Sequence, residues 1–321
     1  KLALMKDDVI LVNCARGGIV NEEDLYNCMV SGKIFAAGID VFVDEPPTQT
    51  KFLELENAFV TPHIGANTAE GQKAVSAIVA EQVLNALHGR PYQHGVNIPF
   101  MTSLLPDHLQ LYFKVAEKIG KLAAQISKGR AEKIQVIMVG KNFEEDLTER
   151  KFDVPFSYQP FTIAGINGFL KMCLQGSVTY INAPYLAKDR NIVVEESKTD
   201  SFDKFNDLII FKLKTDVEEV TIAGTVFPDK LGRIVLLDRF HVDMVPEGTF
   251  LAFKIIDRPG VIGTVGTILG NHKINISGFS LSRIQSGEEV AFISVDSPID
   301  HDVLKEIRSI DGMIEATEIQ L

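Results

Sequence analysis

Apolar and polar positions alternate along this chain in three successive styles. In residues 1–97, Val9–Asn13 (VILVN) is a short, nearly continuous apolar run. Such a run predicts a strand buried on both faces, as in a parallel sheet. Asn21-Glu22-Glu23-Asp24 opens a helix with acids in its first turn, where they favour the helix dipole. Ala36–Phe42 and the shorter Phe59–Thr61 read as further strands, and Glu70–His88 as a long amphipathic helix. Strand, helix and strand in alternation predict part of a doubly wound, Rossmann-type α/β domain.

Gly89, Pro91, Gly95, Pro99 and Pro106 punctuate the chain densely enough to mark a linker. The second style occupies residues 98–246. Asp107–Ser127 has helical periodicity, Ile134–Val139 reads as a strand, Ile163–Leu174 as a helix and Ile192–Glu195 as a strand. Phe205–Lys214, Val220–Phe227 and Ile234–Val242 follow as later strands. Early helices and a late meander predict an α+β domain. After Val245-Pro246-Glu247-Gly248, residues 249–321 form the third style. Strands at Phe250–Ile256, Ile274–Ser282, Glu289–Val295 and Met313–Gln320 alternate with helices at Val261–Asn271 and His301–Ser309, with a turn at Gln285-Ser286-Gly287. That is a βαββαβ, ferredoxin-like order. The predicted whole is an α/β and α+β multidomain chain.

Composition narrows the partners. With 45% hydrophobic and 23% charged residues, the chain has the profile of a globular protein with a real core. Its 32 basic residues against 43 acidic ones leave a net charge of −11. That charge disfavours nucleic acid, whose binding depends on neutralising phosphates, and an anionic membrane. No apolar run reaches the ~18 residues of a transmembrane helix. Three cysteines (Cys14, Cys28, Cys173) without a CxxC pair predict neither a disulfide framework nor a metal site, and fit a reducing, cytoplasmic setting.

The candidate chemistry lies at strand ends in the first style. Arg16 follows VILVN, Asp40 sits near the end of AAGIDVF, Glu45 lies just beyond it, and His63 follows Val60-Thr61-Pro62. In open parallel sheets, ligands bind beyond the carboxyl ends of the strands. A guanidinium there can hold a carboxylate through two hydrogen bonds. A histidine backed by a carboxylate can exchange a hydroxyl proton. A single histidine after a strand is more often structural, and a single arginine before Gly-Gly more often an ion-pair partner. The convergence of the four carries the argument.

The motifs Asn13-Cys14-Ala15-Arg16-Gly17-Gly18, Gly38-Ile39-Asp40-Val41-Phe42 with Glu45-Pro46, and Pro62-His63-Ile64-Gly65-Ala66 resemble the three signatures of D-2-hydroxyacid dehydrogenases, in the same order. The resemblance implies that Arg16 binds the substrate carboxylate and that Glu45 and His63 form the proton relay. It implies that Asp40 faces the nicotinamide end of NAD. Cys14, Ala15, Arg16, His63, Ile64, Gly65 and Ala66 would complete the lining of the cofactor site. The sequence has no GxGxxG fingerprint for the pyrophosphate. By this resemblance the chain is expected to be the C-terminal portion of a longer enzyme, weak in NAD binding and inactive by itself.

Val178 through Ala187, Gly224–Phe227, Arg233-Ile234-Val235 and Asp243 to Gly248 resemble the intervening domain of the long D-3-phosphoglycerate dehydrogenases. Asp257-Arg258-Pro259-Gly260-Val261 and Ile274-Asn275-Ile276 resemble an ACT domain. The resemblance implies NAD-dependent oxidation of 3-phospho-D-glycerate to 3-phosphohydroxypyruvate in L-serine synthesis, with L-serine as feedback effector. Amides at the helix start around Gly260 and Val261 can take an amino acid's carboxylate. Asp257 can accept from its ammonium, and Asn275 can reach across from a paired subunit. Read alone, Asp257 is also a candidate N-cap and Asn275 a turn residue. Ile255 departs from the polar or aromatic residue found in serine-binding relatives. Arg233, and more weakly Lys188 and Arg190, are candidates for an allosteric anion. The resemblance also implies a homo-oligomer, dimer or tetramer. Two other readings stand beside it: an amino-acid-sensing fragment without chemistry, and another 2-hydroxyacid dehydrogenase such as a glyoxylate or hydroxypyruvate reductase.

Overall fold

The computed structural model describes residues 1–48, 50–88, 98–100, 105–144, 158–202, 204–283 and 287–321. The chain divides into two compact units, Lys1–Gln93 and His94–Leu321. Most of the expected linker, and the expected turn apart from Gly287, lie outside the described residues.

In the first unit, strands β1 (Val9–Asn13), β2 (Ile34–Ile39) and β3 (Ala58–Val60) form a parallel sheet in the order β1-β2-β3. Helix α1 (Glu22–Val30) begins at Asn21, whose side chain accepts from the Asp24 amide at 2.9 Å. Leu25 and Met29 of α1 pack with Ile34, Ala37, Ile39, Phe42 and Phe52 into one core. The expectation of strands buried on both faces fails here. Ile10 is 63% exposed, Val12 67% and Phe59 69%. The physical reason is that α1 covers one face only, so β1 alternates in burial although its sequence does not. Helix α2 (Ala69–Leu87) starts at an N-cap, Thr68, and buries none of its residues. The strand expected over Ala36–Phe42 starts two residues earlier and ends at Ile39, because Asp40–Phe42 turn into the loop that builds the site.

In the second unit, helices α3 (Asp107–Ile126) and α4 (Pro160–Cys173) pack together against a six-stranded sheet. Helix α5 (Ala183–Asp189) is short. The strands are β4 (Ala131–Val139), β5 (Val193–Thr199), β6 (Leu208–Thr215), β7 (Glu219–Val226), β8 (Gly232–Leu237) and β9 (Phe240–Met244), in the order β5-β4-β6-β7-β8-β9. Only β4 and β5 pair in parallel. The single strand expected over Ile234–Val242 is a hairpin. Asp238, at φ 51°, turns the chain between β8 and β9 and pairs with Thr221 through both its amide and its carboxylate.

The last strands, β10 (Thr249–Ile256), β11 (Ile276–Arg283), β12 (Glu288–Val295) and β13 (Met313–Gln320), with helices α6 (Val261–Asn271) and α7 (His301–Arg308), follow the expected βαββαβ order. The sheet is antiparallel in the order β11-β12-β10-β13, the ferredoxin-like arrangement. One face carries Leu251, Phe253, Ile255, Ala291 and Ile293 against α6 and α7. The other face, with Phe250, Ala252, Val290, Phe292 and Ile319, joins the core of the six-stranded sheet and α3.

Candidate active site and effector site

The three parallel strands of the first unit end side by side, and the loops beyond their carboxyl ends carry the candidate residues. Asn13, the last residue of β1, shapes the first loop. Its side chain donates to the Arg16 carbonyl at 3.2 Å and accepts from the Ala15 amide at 3.2 Å. The Arg16 side chain itself turns back onto the Ala15 carbonyl at 2.6 Å and is exposed.

Asp40 is 3% exposed and organises the third loop. Its carboxylate accepts from the Thr61 hydroxyl at 2.5 Å, the Ile64 amide at 2.8 Å and the Gly65 amide at 2.7 Å. The Thr61 hydroxyl first, and the loop amides with it, hold the Asp40 carboxyl below the usual carboxylate range. A Cβ on Gly65 would stand 2.8 Å from the Asp40 carboxylate oxygen and 3.7 Å from Cβ of Cys14. A side chain at this position would push against the Asp40 carboxylate that the loop closes on.

That closure presents His63, at φ 56°, to Glu45. The His63 Nδ1 lies 2.6 Å from the Glu45 carboxylate, and the other Glu45 oxygen accepts from the Phe42 amide at 3.0 Å. The hydrogen bond to His63, then the one from Phe42, lowers the Glu45 pKa. Glu22, at the start of α1, accepts from the neighbouring Val43 amide at 2.8 Å. With Nδ1 held by a carboxylate, Nε2 is the nitrogen left to exchange a proton.

The structure therefore joins Glu45 to His63, and Asp40 to the Thr61–Gly65 loop. No hydrogen bond or ion pair joins Arg16 to Glu45 or His63 among the described residues. Asn13, Glu22 and Thr61 escaped the sequence reading as separate contributors. Their signal was position, since polar residues at strand ends and helix starts are natural donors to loop backbone. Cys14, Ala15 and His63–Ala66 lie in loops at the carboxyl end of the sheet, where open parallel sheets receive ligands.

In the second unit, Gly260 is the N-cap of α6, so Asp257 is free of that role. Asp257 instead holds Arg283, Nη2 to Oδ2 at 2.6 Å. Its amide donates to the Gly287 carbonyl at 2.8 Å. Arg283 also donates through Nε to Glu289 at 2.7 Å. Arg283 and Glu289 were not singled out in the sequence. Their pairing follows from register, which sets Arg283 opposite Glu289 and Glu289 opposite Ile255. Ile255 is fully buried beneath α6 and α7. Val261 is buried at the start of α6. The Asn275 amide donates to Asp296 at 3.1 Å, and no contact joins Asn275 to Asp257 among the described residues.

Arg233 is bound by carboxylates already. Its Nη1 reaches both oxygens of Asp243 at 2.9 and 3.1 Å, its Nη2 reaches Asp229 at 3.0 Å, and its guanidinium lies 4.9 Å from the Phe227 ring centre. Arg190 donates to the Leu186 carbonyl at 3.2 Å. Among the described residues, no helix is long and apolar enough to cross a membrane.

Comparison with known proteins places this geometry. Residues 1–65 match the family model for the D-isomer specific 2-hydroxyacid dehydrogenase NAD binding domain. Residues 108–238 match the D-3-phosphoglycerate dehydrogenase intervening domain, and residues 249–312 the ACT domain. The chain is 36% identical to D-3-phosphoglycerate dehydrogenase of Methanocaldococcus jannaschii, over 100% of this chain and 59% of the relative. It is 35% identical to that of Archaeoglobus fulgidus, over 99% of this chain and 59% of the relative. The figure for Bacillus subtilis is 32%, over 100% and 59%. The chain thus spans 59% of the length of these curated relatives. It carries, in this order, segments that match the D-isomer specific 2-hydroxyacid dehydrogenase NAD binding domain, the D-3-phosphoglycerate dehydrogenase intervening domain and the ACT domain, and it shares about a third of its residues with the matching part of these relatives.

Proposed function

We propose that the protein carrying this chain oxidises 3-phospho-D-glycerate to 3-phosphohydroxypyruvate with NAD, as a step toward L-serine, and that L-serine restrains it through the ACT domain. The observation that carries the reaction is the His63–Glu45 pair at 2.6 Å. When bound, NAD supplies the hydride acceptor. His63 takes the substrate's hydroxyl proton through Nε2 while Glu45 holds Nδ1 and stabilises the imidazolium that forms. Asp40 acts one step removed, as a positioning residue that fixes the loop carrying His63. Arg16 grips the substrate carboxylate, for which its side chain exchanges the Ala15 carbonyl. The names of the relatives support the substrate, and the ACT match supports an amino-acid effector received by Asp257, the amides after Gly260, and Asn275 of a paired copy. The working division is a dehydrogenase part over 1–97, an intervening part over 98–246 and a regulatory part over 249–321.

The test is nicotinamide absorbance during turnover of 3-phospho-D-glycerate, with D-lactate as comparison substrate. His63→Gln should lower kcat by about 100-fold or more, the usual contribution of a general acid–base group, and leave KM nearly unchanged. Full activity in His63→Gln, or no preference over D-lactate, would remove the assignment.

A further inference from the structure

We infer that Arg283 is an internal competitor for the Asp257 carboxylate, so that an amino-acid effector binds only by displacing it. The inference rests on the effector reading of Asp257 above.

The geometry is asymmetric. Arg283 ends β11 at the edge of the C-terminal sheet, and its guanidinium uses one side, Nε and Nη2, to bridge two carboxylates. The inner partner, Glu289, is 2% exposed. A carboxylate at that depth needs its cation, because breaking a buried pair leaves an uncompensated charge. The outer partner, Asp257, has a side chain 31% exposed. A pair at that exposure is weak, since water competes for both groups. The arginine is thus anchored within and clasped loosely without. It can release Asp257 and keep Glu289.

Asp257 is also fixed from behind. The Ile256 amide donates to the Gly312 carbonyl at 2.9 Å, and the Asp257 amide to Gly287. The backbone that carries the carboxylate is therefore held in place, and in this structure the cation the carboxylate meets is Arg283. An effector's ammonium would draw on the same carboxylate, whose Oδ2 Arg283 already holds. The strength of the outer clasp is then part of the effector's apparent affinity, because binding competence is limited to the fraction of molecules in which the clasp is open.

The test is calorimetric titration of the full 321-residue chain with L-serine, with D-serine and glycine as controls. Arg283→Gln keeps a donor for Glu289 and removes the charge from Asp257. It should bind L-serine about two- to five-fold more tightly than the parent, the range expected from a weak exposed pair. If that single change unfolds the domain, Arg283→Gln with Glu289→Gln replaces the buried ion pair by neutral amides and should show the same gain. Equal or weaker binding by the variants, with heat from the parent, overturns the proposal alone and makes Arg283 a structural or ligand-contacting residue. No heat from parent or variants sinks the effector reading itself, and this inference with it.

Discussion

At the scale of single residues, the first unit is organised around Asp40 more than around the residues expected to do chemistry. The sequence placed Asp40 against NAD. In the structure its carboxylate is taken up by Thr61, Ile64 and Gly65. Sequence spacing could bring Asp40 near His63 but could not apportion its hydrogen bonds, which depend on loop closure. This arrangement has a pH signature. The folded pKa of Asp40 lies below its ordinary 3.8. Its contribution to stability is therefore fully present above that value and is lost as pH falls through the lower, folded value. Glu45, lowered from 4.5, acts in the same direction. Asp40→Asn should destabilise the first unit at neutral pH and flatten the acid limb of its stability, followed by circular dichroism against pH. An acid limb as steep as the parent's would mean that other carboxylates set it.

At the scale of elements, similar apolar runs had different fates. VILVN and FLAFKII both read as strands, and VILVN as one with two buried faces. β10 has them, since Phe250 and Ala252 enter one core while Leu251, Phe253 and Ile255 enter another. β1 covers only one face, since a single helix packs on its sheet. Hydrophobicity fixes what can be buried, and the number of covering layers decides what is. The run IVLLDRFHV hid a hairpin because Asp238-Arg239 is an inconspicuous turn. Glycines between α3 and α4 were equally silent. Gly165 and Gly168 lie inside buried α4. Their neighbourhood serves close helix packing: a Cβ on Gly120 of α3 would stand 2.0 Å from the Gly165 carbonyl oxygen and 2.9 Å from the Phe169 nitrogen. Backbone cannot yield as a side chain does, so Gly120→Ala must push the two helices apart. The expected cost is about 1–3 kcal/mol or more, as for overpacked cores, read as a lower denaturant midpoint. A midpoint within error of the parent's would show that the helices separate freely.

At the scale of the whole second unit, the central strands β10 and β12 of the C-terminal sheet are covered on both faces, while edge strand β11 leaves Phe279 47% and Leu281 39% exposed. The sheet's helices cover one side, and the intervening sheet with α3 covers the other. Polar contacts seal the same junction. The Gln125 side chain exchanges two hydrogen bonds with the Gln320 backbone, at 3.0 and 2.9 Å, and Lys128 pairs with Glu315 at 2.8 Å. Along the sequence, the turn formers Val245-Pro246-Glu247-Gly248 set residues 249–321 apart from the rest. Packing makes them share a core with their neighbour, a fact that local pattern does not encode. A displacement of β10 or β12 is therefore transmitted through this core to β8, β9 and α3. Phe292 tests this. It is 2% exposed in β12 and belongs to the shared core with Leu237 and Phe240. Phe292→Ala should cost about 3–5 kcal/mol. Because the core is shared, hydrogen exchange should speed up in the central strands of both sheets, β6 and β7 as well as β10 and β12, by similar factors. Faster exchange confined to β10–β13 would show two sheets that open separately, each with a core of its own.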